Sequence, residues 1–473
     1  MQAAGNGQRE GNVRIGLFAV GLAAYWSQFP GLQADIERRL REIERRLGQW
    51  GEVVSAGIVD TPVAGTAAGE QFAEQRVDVL VCFTGTYATS SIALPVVQRA
   101  GAPLIVLHLQ PAAAMEYAAA DTSTVLAYAG LCGIPELTGI LQRTGKQFAV
   151  ISGHLHDTGM WDELGGWCRA AQAARAVRSG RFGMLGQTYP GMLDMATDFE
   201  RVSATLGTHI ELMEIGDLQE RVDAVPDAEV TALMPVLHET FAGTDGVSQE
   251  GLHWSAQVAA GLQRLAADFA LDGLAYYVRG IPGTRSEMIA SNMIVGNTLL
   301  TSQGIPGAGE GDLKTAMAMK IMHELGAGGS FTEFLAMDFA QSFFLMGHDG
   351  PCHPAIADGR VQAKELSVFH GKAGGGVSVQ MRAKPGPVTI LCLTQGQQGE
   401  LRMLVAEGES LEGPVPDIGN SCHRLRFGDD PAVFMERWCA EGPTHHVALG
   451  LGHMMRDVQR VGMLLGLEVV QVR

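Results

Sequence analysis

Apolar and polar positions in the first third of the chain alternate between two textures. Val13 to Val20 is an apolar run closed by Gly21, the mark of a strand buried on both faces. The segment GLQADIERRLREIERRLGQW comes next, with Leu32, Ile36, Leu40, Ile43 and Leu47 at helical spacing and Arg and Glu filling the remaining, solvated faces. Val77–Phe83, Pro103–Leu109 and Phe148–Gly153 read as further buried strands, with a helix from Ser91 to Arg99 between the first two. Strands separated by helices predict a doubly wound parallel sheet. Ligands of such sheets bind beyond the carboxyl ends of the strands, so Thr84, Tyr87, His108, Gln110 and His154 are pocket candidates.

A second α/β unit is expected from about Ser179, where RFGMLGQTYPGMLDM reads as strand, Gly/Pro turn and helix start. His209–Ile215 and Leu274–Val278 fit its later strands, and a helix-rich stretch, Ser286–Leu300, leads into a glycine-rich loop. From about Ser367 the texture changes. VSVQMRA, VTILCLT and GELRMLVAEGE alternate apolar and polar residues between turns, which predicts antiparallel strands and a β-rich third domain. A short helix over Asp430–Cys439 precedes EGPTHHVALG. The expected domains are 1–175, 176–325 and 326–473.

Composition adds limits. The chain has 473 residues, 46% apolar and 18% charged, as in a folded multidomain protein. A formal net charge of −17 repels phosphate backbones and anionic lipid, so neither nucleic acid nor a membrane is an expected partner. No run of roughly 18 apolar residues is read in the sequence. The polar start, MQAAGNGQREGN, lacks the apolar core of a signal peptide, and the seven cysteines form no C-x-x-C pair. The expectation is a cytoplasmic protein with reduced thiols.

Four segments carry the chemistry. In GIPGAGEGDLKTAMAMKIMHELG four glycines precede a helix from about Asp312. A phosphate-binding loop fails there, because Lys314-Thr315 follows Leu313 rather than glycine, and Glu310 and Asp312 stand where phosphate would sit. Asp312 reads as a helix N-cap. In GGSFTEFLAMDF, Glu333 lies between Phe331 and Phe334, costly to bury unless paired or bound to a cation. In FFLMGHDGPCHPAIA, His348 follows an apolar run and opens a turn, with Asp349 and His353 as alternatives. Of the pair His445-His446, one at most is expected to face a site, since adjacent side chains diverge. Two Glu and two His make a mixed oxygen/nitrogen set that suits Mn²⁺, Co²⁺ or a similar divalent ion.

AGEGDLKTA, SFTEF, MGHDGPCHPAIA and THHVA, in that order and at similar intervals, resemble the metal-site motifs of the L-arabinose isomerase/L-fucose isomerase-like family, and VISGHLHD and PLIVLHLQP resemble stretches of its first domain. The resemblance implies two Rossmann-like α/β domains followed by a C-terminal antiparallel β-barrel-like domain. It implies Glu310, Glu333, His348 and His446 as ligands of Mn²⁺ (or Co²⁺ or Mg²⁺), with both glutamates serving as the acid/base pair of an aldose–ketose isomerisation through a cis-enediol. A pentose, hexose or deoxy sugar is the implied substrate, and a homo-oligomer (trimer or hexamer) with its active site at a subunit boundary the implied assembly. His154, His108 and Cys132 are the expected sugar contacts. In TVLAYAGLCGIPE, Ala129 and Cys132 stand where arabinose isomerases carry glutamine and histidine. An epimerase or isomerase of a modified sugar on the same metal scaffold, and a non-catalytic sugar-binding protein, are the competing readings.

Overall fold

A computed structural model describes residues 12–278, 283–366 and 376–473. Residues 1–11 and the change of texture placed at Ser367 lie outside the described residues. The chain forms two compact units, Met1–Arg175 and Ala176–Arg473.

The first unit is a five-stranded sheet with its described strands parallel: β1 (Arg14–Val20), β2 (Glu52–Val59), β3 (Val79–Thr84), β4 (Leu104–Gln110) and β5 (Phe148–His154), in the order β2-β1-β3-β4-β5. The order reverses between β1 and β3. All six residues of β3 are buried, as its unbroken apolar run requires. β2 is not among the expected strands. It is an edge strand, half-buried along most of its length, so it presents no apolar run to read. The amphipathic helix Leu32–Leu47 buries Leu32, Ile36, Leu40, Ile43 and Leu47. It also buries Arg39, which the charge pattern assigns to solvent; its guanidinium pairs with Asp35 and donates to Leu109 O and Gly85 O.

Thr122–Arg143 corrects another expectation. It has the length and mean hydropathy, 1.4, of a membrane-crossing helix, although no such run is read in the sequence. It is two helices, Thr122–Tyr128 and Gly130–Arg143, meeting at Ala129. Leu137 and Leu141 of the second are buried in the core of this unit.

Among the described residues, the second unit holds three sheets. β6 (Arg181–Gly186), β7 (His209–Met213), β9 (Gly273–Tyr277) and β10 (Gly307–Ala308) form a parallel sheet in the order β10-β9-β6-β7, while β8 is the two-residue strand Phe241–Ala242. The helical stretch expected over Ser286–Leu300 is two helices, Arg285–Ser291 and Met293–Ser302, broken at Asn292. The later strands are β11 (Gly328–Asp338), β12 (Phe343–His348), β13 (Val361–Glu365), β14 (Val377–Gln380), β15 (Gly386–Gln395), β16 (Leu401–Ser410), β17 (Ser421–Arg426), β18 (His446–Leu451) and β19 (Glu468–Gln471). Six of them close an antiparallel barrel, β15-β18-β11-β12-β17-β16 and back to β15, with β19 parallel on β16. β14, β13 and β8 form a separate small sheet.

The helix Leu313–Glu324 packs against β9 and also against β11, β15 and β18. Leu313 through Met322 are all buried, which explains why this helix shows no polar face in the sequence. It ties the carboxyl end of the parallel sheet to the barrel wall.

Candidate metal centre

Glu310 sits in the turn Gly309–Gly311 with φ 59° and ψ 11°, left-handed backbone on a residue other than glycine. Its carbonyl accepts the Tyr189 N–H at 2.8 Å, so the loop after β6 fixes the turn. The carboxylate is directed at the barrel. Oε1 lies 3.8 Å from His348 Nε2, and Oε2 lies 3.5 Å from His446 Nε2. Oε2 is buried and has no hydrogen-bond partner.

Glu333 on β11 pairs across the ladder with His446 on β18 and with Gly347 on β12. Cross-strand partners project to the same side, and Glu333 Oε1 reaches 3.9 Å from His348 Nε2. His348 ends β12 and His446 opens β18. Their Nε2 atoms face each other at 3.2 Å, with Phe331 packed against both rings at 4.7 and 4.3 Å. The four side chains expected from the sequence are therefore brought together. Glu310, His348 and His446 offer ligand atoms that lie within 4.8 Å of one another.

Hydrogen bonding sets the tautomers of the two rings. His348 Nδ1 meets Asp349 O at 2.6 Å, and a carbonyl oxygen only accepts, so Nδ1 donates. His446 Nδ1 meets Asp312 Oδ2 at 3.1 Å. Burial works to raise the Asp312 carboxyl, but the His446 imidazole overrides it and holds it below the usual aspartate value. Asp312 is thus an ionised acceptor and His446 Nδ1 donates. It also caps the helix Leu313–Glu324, accepting Thr315 N at 2.9 Å, as read from the sequence. With both Nδ1 positions occupied as donors, the two Nε2 atoms face each other at 3.2 Å. Burial, reinforced by His446, lowers His348 to about 4, so its ring is neutral at physiological pH. The two Nε2 nitrogens converge with the Glu310 carboxylate, whose Oε2 lies 3.5 Å from His446 Nε2 and 3.8 Å from His445 Nε2. This donor set fits a divalent metal, with Asp312 and the Asp349 carbonyl orienting the rings from behind.

Two expectations are revised at this site, and one residue was missed. His445 is not turned away: its ring centroid lies 3.9 Å from that of His446, the planes tilted by 41°, and its Nε2 lies 3.8 Å from Glu310 Oε2. It precedes β18, so strand alternation does not govern it. Burial opposes its charge, yet the Glu310 and Asp194 carboxylates raise it to about 9. Burial also works to raise Glu310, but His445 and then the other imidazoles hold it below the usual glutamate value. His353, an alternative to His348 in the sequence, instead bonds His323 at 3.0 Å. Asp194 was missed; nothing in MLDMATD marks it, because its partner lies 251 positions away.

The remaining expected residues belong to the first unit. Thr84 Oγ1 lies 3.4 Å from His108 Nδ1, and Gln110 Nε2 lies 3.2 Å from His108 Nε2, at the carboxyl ends of β3 and β4. His154 pairs in register with Gln110 and has a buried Nδ1 without a partner. Tyr87 donates to Glu136 at 3.3 Å. Cys132 is exposed on the helix Gly130–Arg143, and all seven cysteines are free thiols.

Comparison with known proteins agrees with this geometry. Residues 192–328 match the L-arabinose isomerase central domain, and residues 336–473 match the L-fucose isomerase C-terminal domain. An L-arabinose isomerase from Clavibacter sepedonicus is 21% identical over 88% of this chain and 84% of its own. That of Acidothermus cellulolyticus is 26% identical over 78% and 75%. A periplasmic solute-binding protein from Actinobacillus succinogenes 130z, solved with bound D-allose, is 14% identical over 66% of this chain and 90% of its own, with a TM-score of 0.17, too low to carry an argument. The two matched domains place the likeness: over residues 192–328 and 336–473 the chain is similar to the sugar isomerases of the L-arabinose isomerase and L-fucose isomerase families.

Proposed function

We propose that the protein is a divalent-metal-dependent aldose–ketose isomerase of a pentose, hexose or deoxy sugar, working through a cis-enediol. One observation carries the reading: the Nε2 atoms of His348 and His446 face each other at 3.2 Å, with the Glu310 carboxylate oxygens 3.8 and 3.5 Å from them. Glu310, Glu333, His348 and His446 would hold Mn²⁺ or a similar ion; Glu310, His348 and His446 form one close group of ligand atoms, and Glu333 forms another with His445 and His446. Such an ion, when bound, supplies positive charge where oxygen charge develops on the sugar.

The chain's own residues do the proton work. Glu310 and Glu333 both lie within 4 Å of His348 Nε2, so two carboxylates border one small volume. One takes the proton from the carbon beside the carbonyl and returns it to the neighbouring carbon. The other moves a proton between the two adjacent oxygens. Glu310, held low, is ionised and ready as a base. Phe331 closes one side of the volume against water. General acid/base action of this kind is worth about 10²–10⁴-fold.

The test is isomerisation of a panel of neutral, deoxy and acidic sugars, with product identification, by chelator-treated protein before and after Mn²⁺. Activity should vanish and return. Glu310→Gln and Glu333→Gln should each lower kcat by at least about 10²; normal turnover in either defeats the catalytic assignment. Ala129 and Cys132 replace the polar residues that arabinose isomerases carry at these positions, which favours a modified sugar as the second reading. An epimer rather than a ketose in the product analysis would select the epimerase.

A further inference from the structure

Asp194, in the turn Leu193–Met195 after β6, grips His445 twice with one oxygen. Oδ2 accepts the Nδ1 proton at 2.6 Å and the backbone N–H at 3.0 Å. The His445 side chain is 33% exposed, whereas that of His446 is fully buried, so packing alone does not fix the outer ring. The grip transmits the position of the loop directly to the imidazole.

That loop is held in turn by a buried lysine. Lys314, in the first turn of the helix Leu313–Glu324, is 1% exposed. Its Nζ donates to Asp194 O, Ala196 O and Thr197 Oγ1, each at 3.1 Å. Three ammonium protons meet three oxygens of one short loop. Burying an ammonium is costly, and Met at this position would fill the space more cheaply. What the lysine adds is the placement of residues 194–197. The same helix turn orients His446 directly, through its cap Asp312. One helix start thereby governs both adjacent histidines by separate routes.

We propose that Lys314 and Asp194 are positioning residues, which act through the loop after β6 to hold His445 with Nε2 turned to Glu310, as a polar contact for the reacting sugar. The inference rests on the isomerase reading of this site. Outer-layer partners of this kind are typically worth about 10–100-fold.

The test is a double-mutant cycle in the full chain: Lys314→Met, Asp194→Ala and both together. kcat and KM are measured with Mn²⁺, and ¹⁵N-histidine spectra are recorded on the metal-free protein. Each single variant should lower kcat about 10–100-fold. The double should be no worse than the poorer single, because both act through one ring. The His445 Nδ1–H signal should be lost in Asp194→Ala and displaced in Lys314→Met. Effects that multiply in the double, or an unmoved His445 signal in Lys314→Met, overturn the proposal. If Lys314→Met does not fold, Thr197→Val removes one of the three oxygens and should displace the same signal to a smaller extent; an unmoved signal there overturns the proposal equally. If the wild type isomerises no sugar, the isomerase reading fails, while the spectra still decide whether Lys314 places His445.

Discussion

Glu310 concentrates several costs in one residue: left-handed backbone, a largely buried carboxylate and an Oε2 without a hydrogen bond. Strain of this kind persists only where the surroundings over-determine it. Tyr189 holds the carbonyl of Glu310, and Gly311 lets the backbone pass close to the 187–189 loop. Gly311 has φ 75°, and a Cβ there would stand 2.4 Å from Gln187 O. Gly311→Ala should therefore displace the 187–189 loop and turn Glu310 with it. The expected cost is about 1–3 kcal/mol, with Mn²⁺ binding weakened at least about tenfold. Melts with and without Mn²⁺ separate the two effects; a lower Tm with an unchanged Mn²⁺ response would mean that the turn does not set the carboxylate. Other histidines shape the pH dependence. Burial pushes His353 and His423 down to about 4. Their contributions to stability are complete above about 6.5 and are lost as pH falls towards 4, up to about 3 kcal/mol for a buried ring. His445 has the opposite sign: raised to about 9, it stabilises fully below about 6.5, and its contribution is lost as pH rises through about 9. Metal-free protein should thus be most stable near pH 6.5 by urea midpoint. His423→Gln should flatten the acid side; an equally steep loss from pH 7 to 5 in that variant would remove His423 from the account.

At the scale of elements, the barrel decides whether Glu333, His348 and His446 meet. Phe344 on β12 is 1% exposed and packs against Phe334 at 5.0 Å, Phe434 at 5.6 Å and Phe427 at 6.2 Å. β12 carries His348 at its end and pairs β11 at Glu333. Phe344→Ala should cost about 3–5 kcal/mol and weaken Mn²⁺ binding together with stability. A urea-denaturation loss below about 1 kcal/mol would mean the ring cluster is not what closes this part of the barrel. These elements were unequally legible in the sequence. β1, β3 and β4 announce themselves because burial on both faces demands unbroken apolar runs, while the half-exposed edge strand β2 does not. β15 and β16 are visible as strands, although Val388–Thr394 and Met403–Ala406 are buried without a break rather than alternately. No local pattern says that β11 pairs β18 more than a hundred positions later. The site divides in the same way. Glu310, Glu333, His348 and His446 stand out as an ordered set of motifs, each weak alone. Asp194 and Lys314 stay silent because their roles exist only through contacts 251 and 120 positions apart.

At the scale of the whole molecule, the candidate ligands are not shared between the units. Glu310, Glu333, His348 and His446, the orienting Asp312 and the Asp194–Lys314 pair all fall within Ala176–Arg473. So do the parallel sheet that supplies the Glu310 turn and the barrel that supplies the other three side chains. The first unit contributes none of these donors, although it carries His108, His154 and Cys132. On the proposed reading, cation binding would be a property of the second unit by itself. A chain of residues 176–473 should unfold cooperatively and gain stability on adding Mn²⁺. At a hundredfold excess over Kd the gain is about 2.7 kcal/mol, read as a rise in Tm that EDTA reverses. Glu310→Gln in that fragment should abolish most of the rise, since it removes the charge of the carboxylate that reaches both His348 and His446. The decisive contrast is between a folded fragment and the full chain. If the fragment melts cooperatively without responding to Mn²⁺, while the full chain does respond, the donors cannot all reside in the second unit and the four-residue assignment falls.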